Sequence, residues 1–142
     1  MKRRDILLGS GGTVLAVLAD KAFPLQKEHH AHPPINQGLV TSASNCVTIG
    51  EICLNHIHEA VANGDNTLAE CARSVNELIA ACTALRSLAA QNSSFVPKYA
   101  KLTAEVCKSS EAECRKFEKS HTECKACADA CAACITECAK VT

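Results

Sequence analysis

The side chains best suited to chemistry in this chain are its cysteines, of which there are 11 in 142 residues. A thiol can form disulfides, act as a redox group, or bind soft metal ions as the thiolate. No cysteine precedes residue 46, so any shared chemistry belongs to the part of the chain that follows. The cysteines are Cys46, Cys53, Cys71, Cys82, Cys107, Cys114, Cys124, Cys127, Cys131, Cys134 and Cys138.

The last five cysteines, from Cys124 to Cys138, follow one another at steps of three, four, three and four residues. Those steps keep side chains on one face of an α-helix, so every position of that face is Cys. A free Cys often packs as a small hydrophobe. A face selected only for packing would instead use Leu, Ile or Val, which bury more apolar area. The run therefore favours thiols that serve as ligands.

A disulfide scaffold is the main non-metal alternative for a small cysteine-rich chain. Two features weigh against it. The number of cysteines is odd, so at least one thiol would stay unpaired. The spacings are helical, whereas small disulfide scaffolds are rich in loops.

The elements that must position these thiols are four amphipathic helices within residues 41–142. We predict helices from about 41 to 63, from after Asp65 to about 91, from 94–97 to about 119, and from 120 to about 140. Asp65 is a suitable N-cap, and Ser120 with Glu123 forms a capping-box pattern. Connections this short join antiparallel neighbours. The predicted fold is all-α: an antiparallel up-down-up-down four-helix bundle with a Cys-lined core.

Helical periodicity also places the other cysteines on inward faces. For the first three helices those faces are Cys46, Ile49, Cys53, His56 and Ala60; Leu68, Cys71, Val75, Leu78, Cys82, Leu85 and Ala89; and Thr103, Cys107, Ser110, Cys114 and Phe117.

Counting residues from the turns predicts the depth of each thiol in the bundle. It places Cys46, Cys53, Cys82, Cys107 and Cys134 at similar levels. The count gathers another set nearer the other end: Cys71, Cys114, Cys124 and Cys127, with His56 and His121. We therefore expect a continuous track of thiols with no single four-ligand pocket.

Charge balance selects among the soft metals that thiolates bind. Four Zn(II) ions would bring eight positive charges against the 11 negative charges of the thiolates. Burying the excess negative charge in a narrow core is costly. Cu(I) is monovalent and accepts two or three sulfurs, so about one ion per bridging thiolate leaves the interior neutral. The sequence therefore predicts multiple Cu(I) ions, about one per Cys.

Iron–sulfur binding is the main rival among metal functions, because Cys124 and Cys127, and again Cys131 and Cys134, have the CxxC spacing. A ferredoxin-type motif has three Cys at steps of three and often a following Pro, which are lacking here. A CxxC redox enzyme normally places its motif at a strand-to-helix junction, and the sequence predicts no strand.

Two histidines are candidate ligands at the end of the predicted track. His56 follows Cys53 by three residues, and His121 precedes Cys124 by three. Either could bind copper in a mixed site or control its entry, and the alternative for each is a polar cap on the core. His58 points away from the predicted inner face and is expected to be solvated.

The N-terminal residues have the composition of an export signal. Residues 1–22 combine a basic start with an apolar stretch too short to span a bilayer, which is typical of a signal peptide. Arg3 and Arg4 resemble a twin-arginine signal, with an ordinary secretory signal as the alternative. Residues 23–40 read as a Pro-containing linker, and its His29, His30 and His32 could bind metal or simply be solvated.

The run His121-x-x-Cys124-x-x-Cys127-x-x-x-Cys131-x-x-Cys134-x-x-x-Cys138, with the Cys46/Cys53 and Cys107/Cys114 pairs, resembles the copper storage proteins. The resemblance covers about residues 40–140 and implies a homotetramer of bundles that each hold many Cu(I) ions. The twin-arginine start resembles the exported branch, which is thought to supply copper enzymes such as particulate methane monooxygenase. Exported relatives use Met beside His at the open end, whereas Met1 is the only Met of this chain.

The sequence therefore predicts an extracytoplasmic binding protein without enzymatic activity. Its expected partners are copper ions, copies of itself and a recipient copper enzyme. The balance of 15 basic and 15 acidic residues gives no indication of nucleic-acid binding. Once the signal peptide is removed, no segment is expected to enter a membrane.

Overall fold

Four α-helices make up the computed structural model, which describes residues 35–142. They are α1 (Gln37–Ala62), α2 (Ala69–Ala90), α3 (Val96–Arg115) and α4 (Thr122–Cys138). No strand occurs in this range, and no described helix is long and apolar enough to cross a bilayer. The predicted signal peptide, most of the predicted linker, and His29, His30 and His32 lie outside the described residues.

The helices pack as a bundle in which each one contacts two neighbours. Helix α1 packs against α2 and α4, and α3 packs against the same two helices. The thiols of Cys71 and Cys82, in order along α2, adjoin those of Cys114 and Cys107, in reverse order along α3. Reversed order of this kind occurs when two neighbouring helices, here α2 and α3, run in opposite directions. We therefore infer the antiparallel order that the short connections predict.

The ends of the helices differ from the sequence-based prediction. Helix α1 begins at Gln37, four residues earlier than predicted, so residues 37–40 are helical rather than linker. Helix α2 is preceded by Leu68 as its N-cap, while the Asp65 carboxylate accepts hydrogen bonds from the backbone and hydroxyl of Thr67. These bonds close a tight turn before the helix begins.

The fourth helix also begins without its predicted capping box. His121 is the N-cap residue of α4 and makes no side-chain capping hydrogen bond, so the predicted Ser120–Glu123 capping box is wrong. Helix α3 ends at Arg115, short of the predicted 119, because residues 116–120 form the turn. Arg115 binds Glu118 in that turn and Asp129 on α4, at 3.0 and 2.7 Å, and so holds the turn against α4.

The core lies along the bundle axis and is made of cysteines and aliphatic residues. The inner face predicted for α2 is confirmed in full, from Leu68 to Ala89. The face of α1 is rotated slightly from the prediction: Gly50 and Ile57 are buried, whereas Ile49 and Ala60 are only partly buried. The buried residues of α4 are all Cys or Ala, so its packing surface is unusually thin.

Leu78 supplies apolar packing that α4 lacks, and its burial generates a prediction. We expect Leu78→Ala to lower the free energy of unfolding of the reduced, metal-free protein by about 2–5 kcal/mol, because the side chain is fully buried. The matched control is Leu102→Ala, since that leucine is 54% exposed, and it should change stability by no more than about 0.5 kcal/mol. Urea unfolding monitored by circular dichroism measures both values. Equal losses in the two variants would contradict this core assignment.

Candidate metal centre

All 11 cysteines are fully buried in one core, and none is joined in a disulfide. The helical faces described above account for this, because each cysteine lies on the side of its helix that faces the bundle axis. The arrangement agrees with the expectation of a Cys-lined core. It contradicts the alternative of a disulfide scaffold.

Four of these thiols, one from each helix, converge near the middle of the bundle. We call them the four-thiol group: Cys46, Cys82, Cys107 and Cys134. Their sulfur atoms all lie within 4.8 Å of one another, and the sulfurs of Cys82 and Cys107 are 4.0 Å apart. The predicted levels of these residues are confirmed. The expectation that no four-ligand pocket would form is wrong, because the four faces meet at one depth.

Five further thiols gather nearer the other end. The sequence predicts this for four of them, whereas its placement of Cys53 at the level of Cys46 and Cys82 is wrong, because Cys53 lies two helical turns further along α1. We call them the histidine-end thiols: Cys53, Cys71, Cys114, Cys124 and Cys127. They form two groups of three, Cys53 with Cys71 and Cys124, and Cys53 with Cys114 and Cys127. Cys53 belongs to both groups, so its sulfur lies where two ions could share it. The sulfurs of Cys71 and Cys114 are 3.3 Å apart.

The remaining two cysteines extend these groups along α4. The Cys131 thiol neighbours those of Cys46 and Cys107, and the Cys138 thiol neighbours that of Cys134. Cys131 is one helical turn from Cys127, a step of about 6 Å along the axis. Helix α4 therefore presents a thiol at every turn, which connects the histidine-end thiols with the four-thiol group in one track.

Burial among other thiols controls the charge of this core. Hydrogen bonds with Cys114 and Cys124, together with burial, raise the pKa of Cys53 well above its ordinary value of 9.0. Contacts with Cys131 and Cys134 and burial raise the pKa of Cys107 in the same way. The Cys134 sulfur instead accepts hydrogen bonds from its neighbours, which lower its pKa. Metal binding to Cys53 or Cys107 must therefore displace a firmly held proton.

Two hydroxyl groups in the thiol core have no hydrogen-bond partner. Thr103 and Ser110 are fully buried on α3, four residues before and three residues after Cys107. The sequence places both on the inner face of α3 but gives no reason to assign them a role. An unsatisfied buried hydroxyl costs about 1–3 kcal/mol.

The two candidate histidines meet at one end of the thiol track. His56 Nε2 lies 2.8 Å from His121 Nδ1, and their ring centroids are 5.1 Å apart. Both side chains are half-buried, whereas His58 is exposed, as predicted. Because each histidine precedes or follows a histidine-end cysteine by three residues on its helix, the pair lies beside those thiols and next to solvent. A mixed site or an entry point is therefore compatible with this geometry.

Glu123 also lies at the end of the thiol track where the two histidines meet. The sequence predicts it only as part of a helix cap. Its carboxylate lies 3.6 Å from His56 Nδ1, and the two side chains are 34% and 26% exposed. Hydrogen bonds from its own backbone N–H and from the Thr122 hydroxyl, with the nearby histidines, hold the pKa of Glu123 below its ordinary value. The resulting negative charge favours a cation at the histidine end.

The donor set of this centre defines its chemistry. Eleven thiols in one dry interior bind soft cations, because thiolate sulfur is the softest ligand among protein side chains. The four-thiol group leaves room for a single ion, since its sulfurs stand within 4.8 Å of one another. A cubic iron–sulfur cluster would need to fit eight atoms between those sulfurs. This geometry disfavours the ferredoxin-like alternative.

Comparisons with known proteins agree with this geometry. The sequence profile of the copper storage proteins matches residues 32–142, which include the whole bundle and all 11 cysteines. A comparison with curated proteins finds no significant match. The profile covers well over half of the chain, and buried thiol groups that could hold metal lie within the matched region. The chain therefore belongs to the copper storage protein family.

Proposed function

We propose that this protein stores copper as Cu(I), with about one ion for each cysteine. The observation that carries the proposal is the burial of all 11 unpaired thiols in a single continuous core. A transport protein or sensor needs only one small site, whereas 11 of the 24 buried hydrophobic residues in this core are cysteines. Each thiolate would bridge two Cu(I) ions, and each ion would accept two or three sulfurs.

The charge of the core supports the monovalent ion. Each Cu(I) replaces one thiol proton, so filling the track leaves the interior as neutral as it was before. Divalent ions at every position would leave unbalanced charge in a low-dielectric interior, where it is costly. Hydrogen bonds with neighbouring thiols, together with burial, raise the pKa of Cys53 and Cys107, so each of these sulfurs holds a proton until a cation replaces it.

The histidine end would receive the incoming ion. His56 and His121 lie between solvent and the histidine-end thiols, and Glu123 adds a negative charge beside them. A neutral imidazole nitrogen can bind Cu(I) without the loss of a proton, so the pair can exchange an ion with solvent faster than a buried thiol. In this proposal, His56 and His121 bind the incoming ion at the end where exported relatives use Met.

The proposal for the cellular role rests on membership of the family and on the sequence of the N-terminal residues. Export by the twin-arginine route would let the protein fold before it leaves a reducing cytosol, since that route carries folded proteins. The stored copper would then supply a copper enzyme outside the cytosol. By resemblance to the family we propose a homotetramer, and we propose a binding role without catalysis.

The capacity for copper tests the proposed function directly. Anaerobic Cu(I) titration of the reduced protein against a competing chelator should reach a plateau close to 11 equivalents, one for each cysteine. Saturation at one or two equivalents would instead indicate a chaperone or sensor and would overturn the proposal. Strong visible iron–sulfur absorption of the purified protein would favour the redox alternative.

Cys131 links the two thiol groups, and its replacement tests whether capacity depends on the individual sulfurs. Cys131→Ser should lower the plateau by about one ion, because a hydroxyl does not replace a thiolate as a Cu(I) ligand. The control is Ala133→Ser, which adds the same hydroxyl at an exposed position of α4 and should keep the full capacity. Circular dichroism confirms that both variants fold. Unchanged capacity in folded Cys131→Ser would contradict its role as a ligand.

The histidine pair is tested by the rate of loading rather than by capacity. We expect His56→Gln to slow Cu(I) uptake in stopped-flow mixing while the final capacity falls by no more than about one ion. His58→Gln is the matched control, because His58 lies on the same helix but is exposed. Identical uptake rates for the two variants and the unmodified protein would show that copper enters elsewhere.

A further inference from the structure

The four-thiol group differs in kind from the other thiol groups of the described chain. It has four sulfurs that are mutual neighbours, and each comes from a different helix. A tetrahedral ion with a metal–sulfur bond of about 2.3 Å needs sulfurs about 3.8 Å apart. The sulfurs of Cys82 and Cys107 are 4.0 Å apart and all four lie within 4.8 Å of one another, so inward movements of no more than about 1 Å would bring them to that spacing.

We propose that the four-thiol group is a single tetrahedral site that binds one divalent zinc-group ion when copper is absent. Zn(II) has no geometric preference from its d electrons and is almost always four-coordinate with thiolate ligands in closed sites. The inference goes beyond copper storage and does not rest on it, since it concerns the copper-free protein.

The histidine-end thiols do not offer an equivalent site. Their two groups of three share the Cys53 sulfur, so they cannot form two separate tetrahedra. Three sulfurs that lie close together, one of them shared with a second group, suit ions that accept only two or three ligands, such as Cu(I). The described residues therefore offer one tetrahedral site made of thiols alone.

The main cost of binding a divalent ion in this core is the net negative charge of the ion with its four thiolates. Hydrogen-bond donors around the site can lower that cost. Binding releases four thiol protons and leaves a formal charge of −2 on the ion with its four thiolates. The thiols of Cys131 and Cys138 lie beside the site, and a thiol is a hydrogen-bond donor that can reach a coordinated sulfur. Charge-assisted hydrogen bonds of this kind stabilise metal-bound sulfur.

The site also has a structural consequence for the copper-free protein. Its four ligands come from α1, α2, α3 and α4, so one ion would connect all the helices. Helix α4 contributes only Cys and Ala to the core, and it gains most from such a connection. An ion that binds only the folded chain stabilises it in proportion to the logarithm of the ion concentration above Kd.

Cobalt is the spectroscopic probe for this site, because Co(II) occupies tetrahedral zinc sites and absorbs visible light strongly there. Anaerobic titration of the reduced, copper-free full chain with Co(II) should produce tetrahedral thiolate–cobalt bands that saturate at one equivalent. One equivalent of Zn(II) should then abolish them. Saturation at several equivalents, or only the weak bands of octahedral cobalt, would overturn the proposal on the unmodified protein.

Two substitutions on α2 localise the ion. Cys82→Ser removes a ligand and should weaken Co(II) binding by more than about 100-fold, since the loss of an outer-shell partner alone costs about 10–100-fold. Cys71→Ser removes an equally buried thiol from the histidine-end group and should leave the cobalt spectrum unchanged, although its copper capacity falls. Equal weakening by both substitutions would also overturn the proposal.

Parallel Cu(I) titration of the same samples separates this inference from the proposed function. A copper plateau near 11 equivalents with no tetrahedral cobalt spectrum would overturn the divalent site and leave copper storage intact. A cobalt plateau at one equivalent with copper saturating at one or two ions would support the divalent site and overturn copper storage.

Discussion

The cost of burying a charged sulfur is the constraint on which the rest of this structure depends. All 11 thiols lie in an interior from which water is excluded, where an isolated thiolate is unstable. Each sulfur must therefore hold a proton, bind a cation or, like that of Cys134, accept hydrogen bonds from neighbouring thiols. The raised pKa of Cys53 expresses the first state, and copper binding by the family expresses the second. The bundle is a scaffold that keeps sulfurs close enough for one cation to replace several protons.

The same constraint explains how the apolar core is distributed. Helix α4 cannot be both a ladder of ligands and a strong packing surface, and its buried residues are only Cys and Ala. The large aliphatic side chains are found on α1 and α2, where Leu39, Ile57, Leu78 and Leu85 are almost fully buried. These residues supply the hydrophobic stabilisation that a core of small thiols lacks. Helix α4 thus contributes mainly metal ligands, while α1 and α2 contribute most of the large apolar side chains.

Helical periodicity was enough to predict the bundle and the burial of every cysteine, because a step of three or four residues fixes which side chains share a face. It was not enough for the helix ends, where local bonds such as that between Asp65 and Thr67 compete with capping. The depth count placed the members of the four-thiol group at one level, but it does not give the distances between facing helices, so their convergence within 4.8 Å was missed. The contact of His56 with Glu123 depends on how two helix ends meet, which periodicity does not specify.

The two thiol arrangements of the track suit different occupants. Three sulfurs around a shared Cys53 favour ions of low coordination number that bridge, while four mutual sulfurs favour one tetrahedral ion. Because α4 presents a thiol at every turn between them, an ion bound at the histidine end is never more than about 6 Å along the axis from the next ligand. Copper entering past His56 and His121 would thus reach the histidine-end thiols before the four-thiol group. A divalent ion held there would leave the histidine-end thiols free to accept the first copper.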